Sequence, residues 1–246
     1  MSEIAKNRRF SGRIALVTGA SRGIGYAVAR TLGREGAHVI ALARTVGGLE
    51  ELDDEIRASG GSATLVVADL KDFDGIDRLG AGIYERWGKL DIVVGNAGIL
   101  GPISPIGHVE PKAWDEVMAV NVTANWRLIR SLDPLLKRSD AGRAVFVTSG
   151  VAVTRRAFWG PYSVSKAALE ALVATYARES EITLIKANLF SPGATRTAMR
   201  ARAMPGEDPE TLPAPDALVP ALLDLLDSAL TFSGRTFDYR TQSWRD

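Results

Sequence analysis

Six short apolar runs, Ile14–Val17, Val39–Leu42, Leu65–Val67, Ile92–Val94, Ala144–Val147 and Thr183–Ile185, alternate along the chain with longer segments of helical periodicity. Their apolar residues are consecutive rather than interleaved with polar ones. That is the pattern of a strand covered on both faces, as in a parallel sheet with helices above and below. Residues 25–34 place Val28, Ala29 and Leu32 on one helix face, and residues 49–58 do the same with Leu49, Leu52 and Ile56. No internal repeat or long linker intervenes. The pattern predicts an α/β fold, a doubly wound parallel sheet in three α/β/α layers, as a single domain spanning residues 1–246. With 46% hydrophobic residues over 246 positions, such a domain can bury its core without disulfides.

One stretch breaks the rhythm. Pro205, Pro209, Pro213, Pro215 and Pro220 precede an apolar helix expected at Ala221–Leu230. Proline at this density predicts a surface loop, so residues 194–215 are expected to form a substrate loop or lid.

Composition removes several chemistries. There is no cysteine, which excludes thiolate catalysis, and only two histidines, His38 and His108, leave little material for a zinc site or a histidine triad. No metal is expected. A formal charge of +1 gives no field that argues for nucleic acid, and no apolar run approaches the roughly 20 residues that span a bilayer. Met1–Phe10 carries Lys6, Arg8 and Arg9 with no apolar stretch after it, so it does not read as a secretory signal. The expectation is a soluble, cytoplasmic protein.

Directly after the first run comes Thr18-Gly19-Ala20-Ser21-Arg22-Gly23-Ile24-Gly25, followed by a helix. Glycines at such a turn let the backbone approach a pyrophosphate, whose charge then sits at the helix N-terminus. A tight turn needing positive φ is the plainer alternative. At the end of the second strand, where a carboxylate usually holds the 2′-hydroxyl of NAD, the sequence has Arg44 and no acid. Arg44 and Arg22 together can grip a 2′-phosphate, which favours NADP(H) over NAD(H), unless both are simply solvated surface charges.

Tyr162 and Lys166 in Gly160-Pro161-Tyr162-Ser163-Val164-Ser165-Lys166 lie four residues apart on an expected helix. An ammonium near a phenol favours the phenolate, so Tyr162 can exchange protons with an alcohol or ketone in place of the missing histidine.

Taken in order, these motifs resemble those of the classical short-chain dehydrogenase/reductase (SDR) family, a Rossmann-fold family, from about Ser11 to about Asp238. Gly19, Ser21, Arg22, Gly23, Ile24 and Gly25 match its cofactor turn. Asp69 and Leu70 match the pair beside adenine, and Asn96, Ala97 and Gly98 match the fourth-strand motif. Asn121, Ser149, Tyr162 and Lys166 match the catalytic set, and Pro192, Gly193, Thr195 and Thr197 match the segment that holds the nicotinamide carboxamide. The resemblance implies interconversion of a ketone or aldehyde with an alcohol by hydride transfer. Tyr162 is then the general acid/base, and Lys166 lowers its pKa and binds the nicotinamide ribose. Ser149 hydrogen-bonds the substrate oxygen, and Asn121 holds a water linked to Lys166. It also implies a homotetramer or dimer through the helices of Asn121 and Tyr162, to which Val117, Val120, Leu169 and Leu172 could contribute. Two positions depart from the family pattern: Gly95 stands where an asparagine is usual, and the C-terminal segment Gly234–Asp238 continues to Asp246 without the usual Asp-Gly-Gly ending.

The substrate is a small carbonyl or alcohol compound. Leu100, Val151, Phe158, Trp159, Met199 and Met204 are candidate pocket walls, suiting an apolar compound, or else they pack the core. Arg155 and Arg156 attract an acidic group or are solvated. Two other functions share the fold: reduction of a carbon–carbon double bond or a 3-oxo group on a carrier-bound acyl chain, and a catalytically silent NADP(H)-binding sensor or scaffold.

Overall fold

All five residues of the first strand, β1 (Ile14–Thr18), are buried, as its unbroken apolar sequence requires. The computed structural model describes residues 8–246, so the N-terminal reading lies, up to residue 7, outside the described residues. After β1 come α1 (Gly23–Arg34), β2 (His38–Ala43), α2 (Val46–Ala58), β3 (Ser62–Val67), α3 (Phe73–Trp87) and β4 (Ile92–Gly95). Next, α4 (Pro111–Met118) passes through a π-helical stretch, Ala119–Thr123, into α5 (Ala124–Leu136). Then follow β5 (Arg143–Val147), α6 (Val151–Thr154), α7 (Gly160–Glu179), β6 (Lys186–Ser191), α8 (Ala198–Ala203), α9 (Pro215–Asp224), β7 (Thr236–Asp238) and β8 (Ser243–Arg245).

The strands form one sheet in the order β3-β2-β1-β4-β5-β6-β7-β8, parallel throughout except for β8, which runs antiparallel to β7. Successive side chains point to opposite faces. Thus Ala15 and Val17 join a core with Val28, Leu32, Leu52, Ile56 and Leu222 of α1, α2 and α9. Ile14 and Leu16 join the other, with Ile83, Leu128, Leu132, Leu169 and Val173 of α3, α5 and α7. The result is the expected doubly wound, three-layer Rossmann fold.

Three expectations are corrected. Thr183–Ile185 is not a strand. The Thr183 hydroxyl donates to the Ser180 carbonyl (2.7 Å) and accepts from the Ile185 amide (3.1 Å), closing a turn that delays β6 until Lys186. Asn188, buried in β6, obscured the strand; its amide bonds Phe232 and Arg235 of the adjacent backbone. The helix expected at Ala221–Leu230 instead begins at Pro215, in the first turn, where a missing N–H is harmless, and ends at Asp224. Finally, Val117 and Leu169 are fully buried within the chain, Val120 is nearly so and Leu172 is half-buried. Val117, Val120 and Leu169 thus face the interior of the chain rather than a partner; the exposed large apolar side chains on α5 and α7 are Trp126 and Val164.

Gly95 has a packing reason. A Cβ there would lie 2.2 Å from Cδ1 of Phe146 on β5 and 2.9 Å from Oδ1 of Asn125. The phenyl ring therefore occupies the space of the usual asparagine. We expect Gly95→Ala to destabilise the fold by about 1–3 kcal/mol, and Phe146→Leu to recover part of that loss in the double variant. Urea unfolding of the four proteins measures the coupling; additive effects would show that the ring is not the obstacle.

Candidate active site

The ends of β1 and β4, where the sheet order reverses, open a crevice with a cavity of about 710 Å³. Its floor is the glycine turn between β1 and α1. Gly19 and Gly23 adopt φ of +67° and +62°, and a Cβ on Gly25 would stand 2.3 Å from Nδ2 of Asn96 and 2.4 Å from the Gly19 carbonyl. Asn96 clamps this turn to β4: its Nδ2 donates to the Thr18 and Gly19 carbonyls (3.0 and 3.3 Å). The Asn96 and Ala97 amides both donate to Thr18 Oγ1 (3.1 Å each). No side chain of the N-cap residue, Arg22, caps α1, so the first-turn amides of that helix are left for a ligand.

Gly19, Ser21, Arg22, Gly23, Ile24, Arg44, Asp69, Leu70, Asn96, Ala97 and Gly98 line this crevice. So do Ser149, Tyr162, Lys166, Pro192, Gly193, Thr195 and Thr197. Two expected residues do not line it. Gly25 lies behind the turn, where it permits the close approach of Asn96. Asn121, fully buried in the π-helical stretch, sits behind the lysine. Its side chain joins three elements: Oδ1 accepts from the Ile99 amide (2.9 Å), and Nδ2 donates to the Ile99 carbonyl and to Ser165 Oγ (both 2.9 Å).

At the far end, Tyr162 and Lys166 share the first turns of α7. The Lys166 ammonium lies 5.7 Å from the Tyr162 ring centroid and donates to the Val147 carbonyl at 2.7 Å. Ser149, half-buried, lines the cavity beside Tyr162. Burial dominates the titration of both groups. It pushes the Tyr162 phenol up to about 12, with the Ser149 contact opposing it, and the Lys166 ammonium down to about 8, with Glu170 opposing it. In the free protein burial thus holds the phenol above its ordinary value, not below it as the pairing with Lys166 suggested.

At the opposite rim, Arg44 reaches Asp69 at 3.8 Å, and Arg22 makes no ion pair among the described residues. The wall beside Tyr162 is apolar. Leu100, Trp159 and Met199 face the cavity, while Val151 and Met204 pack behind them. Phe158 does not belong to it. Its backbone is in the left-handed region (φ 70°) and its ring is exposed outside the mouth. The expected lid does contribute, through Arg196, Ala198, Arg200 and Ala203, but contains α8 and is braced by Arg200–Glu207 (2.5 Å) and Arg196–Glu210 (2.6 Å). Thr18 was read only as the head of the glycine turn and not as the acceptor for two amides of the clamp, and the Val147 carbonyl escaped the sequence reading; no spacing rule marks a main-chain oxygen as special.

Comparison with known proteins agrees with this geometry. The family model described as short chain dehydrogenase matches residues 13–208. The oxidoreductase YciK of Escherichia coli K12 is 40% identical over 237 residues, covering 95% of this chain and 94% of its own. A short chain dehydrogenase structure from Shigella flexneri superposes with a TM-score of 0.90 at 39% identity, covering 94% of this chain and 92% of that one. Another from Escherichia coli CFT073, complexed with NADPH, gives 0.90 at 40% identity, covering 94% and 98%. The chain belongs to the short-chain dehydrogenase family and is an oxidoreductase acting on CH–OH or C=O groups.

The depressed Lys166 ammonium has a measurable consequence. Between its folded value of about 8 and its unfolded value near 10.5, the unfolded chain binds the extra proton, so this residue makes stability rise with pH in that window. Relative to Lys166→Met, the wild type should therefore gain stability, by roughly 3 kcal/mol at most, between pH 7.5 and 10. Urea titrations at the two pH values test this; a constant difference would place the ammonium in a solvated site.

Proposed function

We propose that the protein is an NADP(H)-preferring reductase of apolar ketones or aldehydes, with Tyr162 as the proton donor. The carrying observation is the meeting of Tyr162, Ser149 and Lys166 at one end of a crevice whose other rim bears Arg22 and Arg44. The glycine turn, which a single Cβ would fill, and the uncapped start of α1 fit a dinucleotide pyrophosphate. Arg44 and Arg22 would take a 2′-phosphate, and Asp69 and Leu70 would flank the adenine. Pro192, Gly193, Thr195 and Thr197 would hold the carboxamide, and Lys166 the nicotinamide ribose. When bound, NADP(H) supplies or accepts the hydride.

The chain's own residues do the rest. The Ser149 hydroxyl donates to the carbonyl oxygen, where negative charge develops during reduction. The Tyr162 phenol, held neutral by burial, donates its proton to that oxygen. The Lys166 ammonium stabilises the phenolate that remains. A water linked to Lys166 through Asn121 must use the Asn121 main chain, since the side-chain amide is engaged by Ile99 and Ser165. Leu100, Trp159 and Met199 give the substrate an apolar bed. In the cell the reading is of a cytoplasmic homo-oligomer meeting its partner copies through the α5 and α7 faces that carry Trp126 and Val164. Among the described residues no helix is long and apolar enough to cross a membrane.

Tyr162→Phe should bind NADPH within about twofold of wild type and lose at least a hundredfold in turnover, in line with the loss of a general acid. Retained turnover removes Tyr162 from the mechanism. Arg44→Ala should weaken NADPH by tenfold or more and NADH little, as expected for loss of a charge-assisted phosphate contact. Equal weakening of both would sink the phosphate assignment. A panel of aromatic and aliphatic ketones, quinones, sugars and acyl thioesters, followed by NADPH absorbance, reads the substrate class. Silence across that panel despite tight NADPH binding would identify a sensor.

A further inference from the structure

The C-terminal extension that departs from the family pattern returns to the active site. After β7 the chain turns at Gln242, whose φ is 52°, and β8 pairs back with Thr236 opposite Arg245 and Phe237 opposite Trp244. Trp244 is wedged against Phe232 and Phe237, with ring centroids 4.5 and 5.1 Å away. This fixes the hairpin and directs Arg245 onto α7. There its guanidinium takes both oxygens of Glu170: Nη1 to Oε2 at 3.0 Å and Nη2 to Oε1 at 2.5 Å. A fork of this geometry orients a carboxylate as well as pairing with it.

Glu170 in turn faces the catalytic residues. It lies one helical turn beyond Lys166 on α7, and its Oε1 accepts from the Thr148 hydroxyl at 2.8 Å. Thr148 is buried between Val147, whose carbonyl receives the Lys166 ammonium, and Ser149, which lines the cavity with Tyr162. One carboxylate thus joins the C-terminal hairpin to the end of β5 from a position one turn beyond Lys166.

We propose that Glu170, oriented by Arg245 from the C-terminal hairpin, is a positioning residue that keeps the Lys166 ammonium charged and anchors the β5 end carrying Ser149. The inference rests on the catalytic reading of Lys166 and Ser149 given above. Among the described residues, Glu170 is the charge that acts on Lys166, and it favours the protonated form. The other titratable group facing Lys166 is the Tyr162 phenol on the same helix. From the remaining elements Lys166 meets the uncharged Gly98, Asn121 and Val147.

The direct test needs no substrate. Lysine-labelled protein, free of NADP(H), is titrated by NMR, with Lys166→Met assigning the buried signal. In Glu170→Gln the Lys166 ammonium should titrate about one pH unit lower than in wild type, as expected for loss of a close opposite charge. An unchanged titration in the folded variant overturns the proposal. If Glu170→Gln does not fold, Arg245→Ala and Arg245→Lys carry the question, since both keep the carboxylate. Arg245→Ala should lower kcat by about tenfold, the scale of a small misplacement of catalytic groups. It should also displace the alkaline limb of the kcat–pH profile, leave NADPH affinity at pH 6 within about twofold, and be largely rescued by Arg245→Lys. Wild-type kcat and an unmoved profile in Arg245→Ala would show that the hairpin is a structural ornament. If wild type itself turns over no carbonyl compound, the lysine titration still decides this proposal separately from the proposed activity.

Discussion

The structure depends on holding two diverging strand ends together. β1 and β4 are neighbours in the sheet, yet the chain leaves them toward opposite faces, and the crevice between their ends is where the function must sit. The Gly19 and Ala20 amides of the glycine turn donate to the Leu42 carbonyl of β2, while the Thr18 and Gly19 carbonyls take their partner from the end of β4. Asn96 and Thr18 form this clamp, with two side chains satisfying two carbonyls and two amides across the gap. The clamp works only because Gly25 leaves room for the Asn96 amide, so the glycine spacing serves the packing of the turn as well as its curvature.

The same economy governs the catalytic end. A phenol and an ammonium are both removed from water, and burial drives each toward its neutral form, Tyr162 upward and Lys166 downward. For reduction, a neutral phenol is the useful starting state. In the proposed mechanism the ammonium must hold a charge when the phenolate appears; the Val147 carbonyl accepts from it and Glu170 favours its protonated form. The buried pair is therefore balanced by the strand end and by the next turn of its own helix. The C-terminal hairpin, far away in sequence, reaches that turn through Arg245.

Much of this was legible from residue order. Strands buried on both faces announce themselves by composition, and β1, β2, β4 and β5 lie where the apolar runs lie. The reading failed where a polar residue was buried or an apolar one was not. Asn188 disguised β6 because its amide is satisfied by backbone from residues 232 and 235, and Thr183 ended an apolar run with side-chain bonds of its own. Pro215 and Pro220 suggested loop, yet one starts α9 and the other lies within it. Phe158, expected in the pocket wall, is turned outward by a left-handed backbone that no sequence pattern signals.

What the sequence alone determined is the class of fold and the pairing of Tyr162 with Lys166 on one helix. Period and run length report local burial, and a tyrosine four residues before a lysine reports a shared helix face. Tertiary structure decided the rest. It set the protonation state of Tyr162 and Lys166, because desolvation depends on everything packed around a group. It gave Gly95 its reason, because the obstacle is a ring on another strand. And it brought Arg245 to Glu170, 75 residues apart, because only the folded sheet edge places the last strand against the catalytic helix.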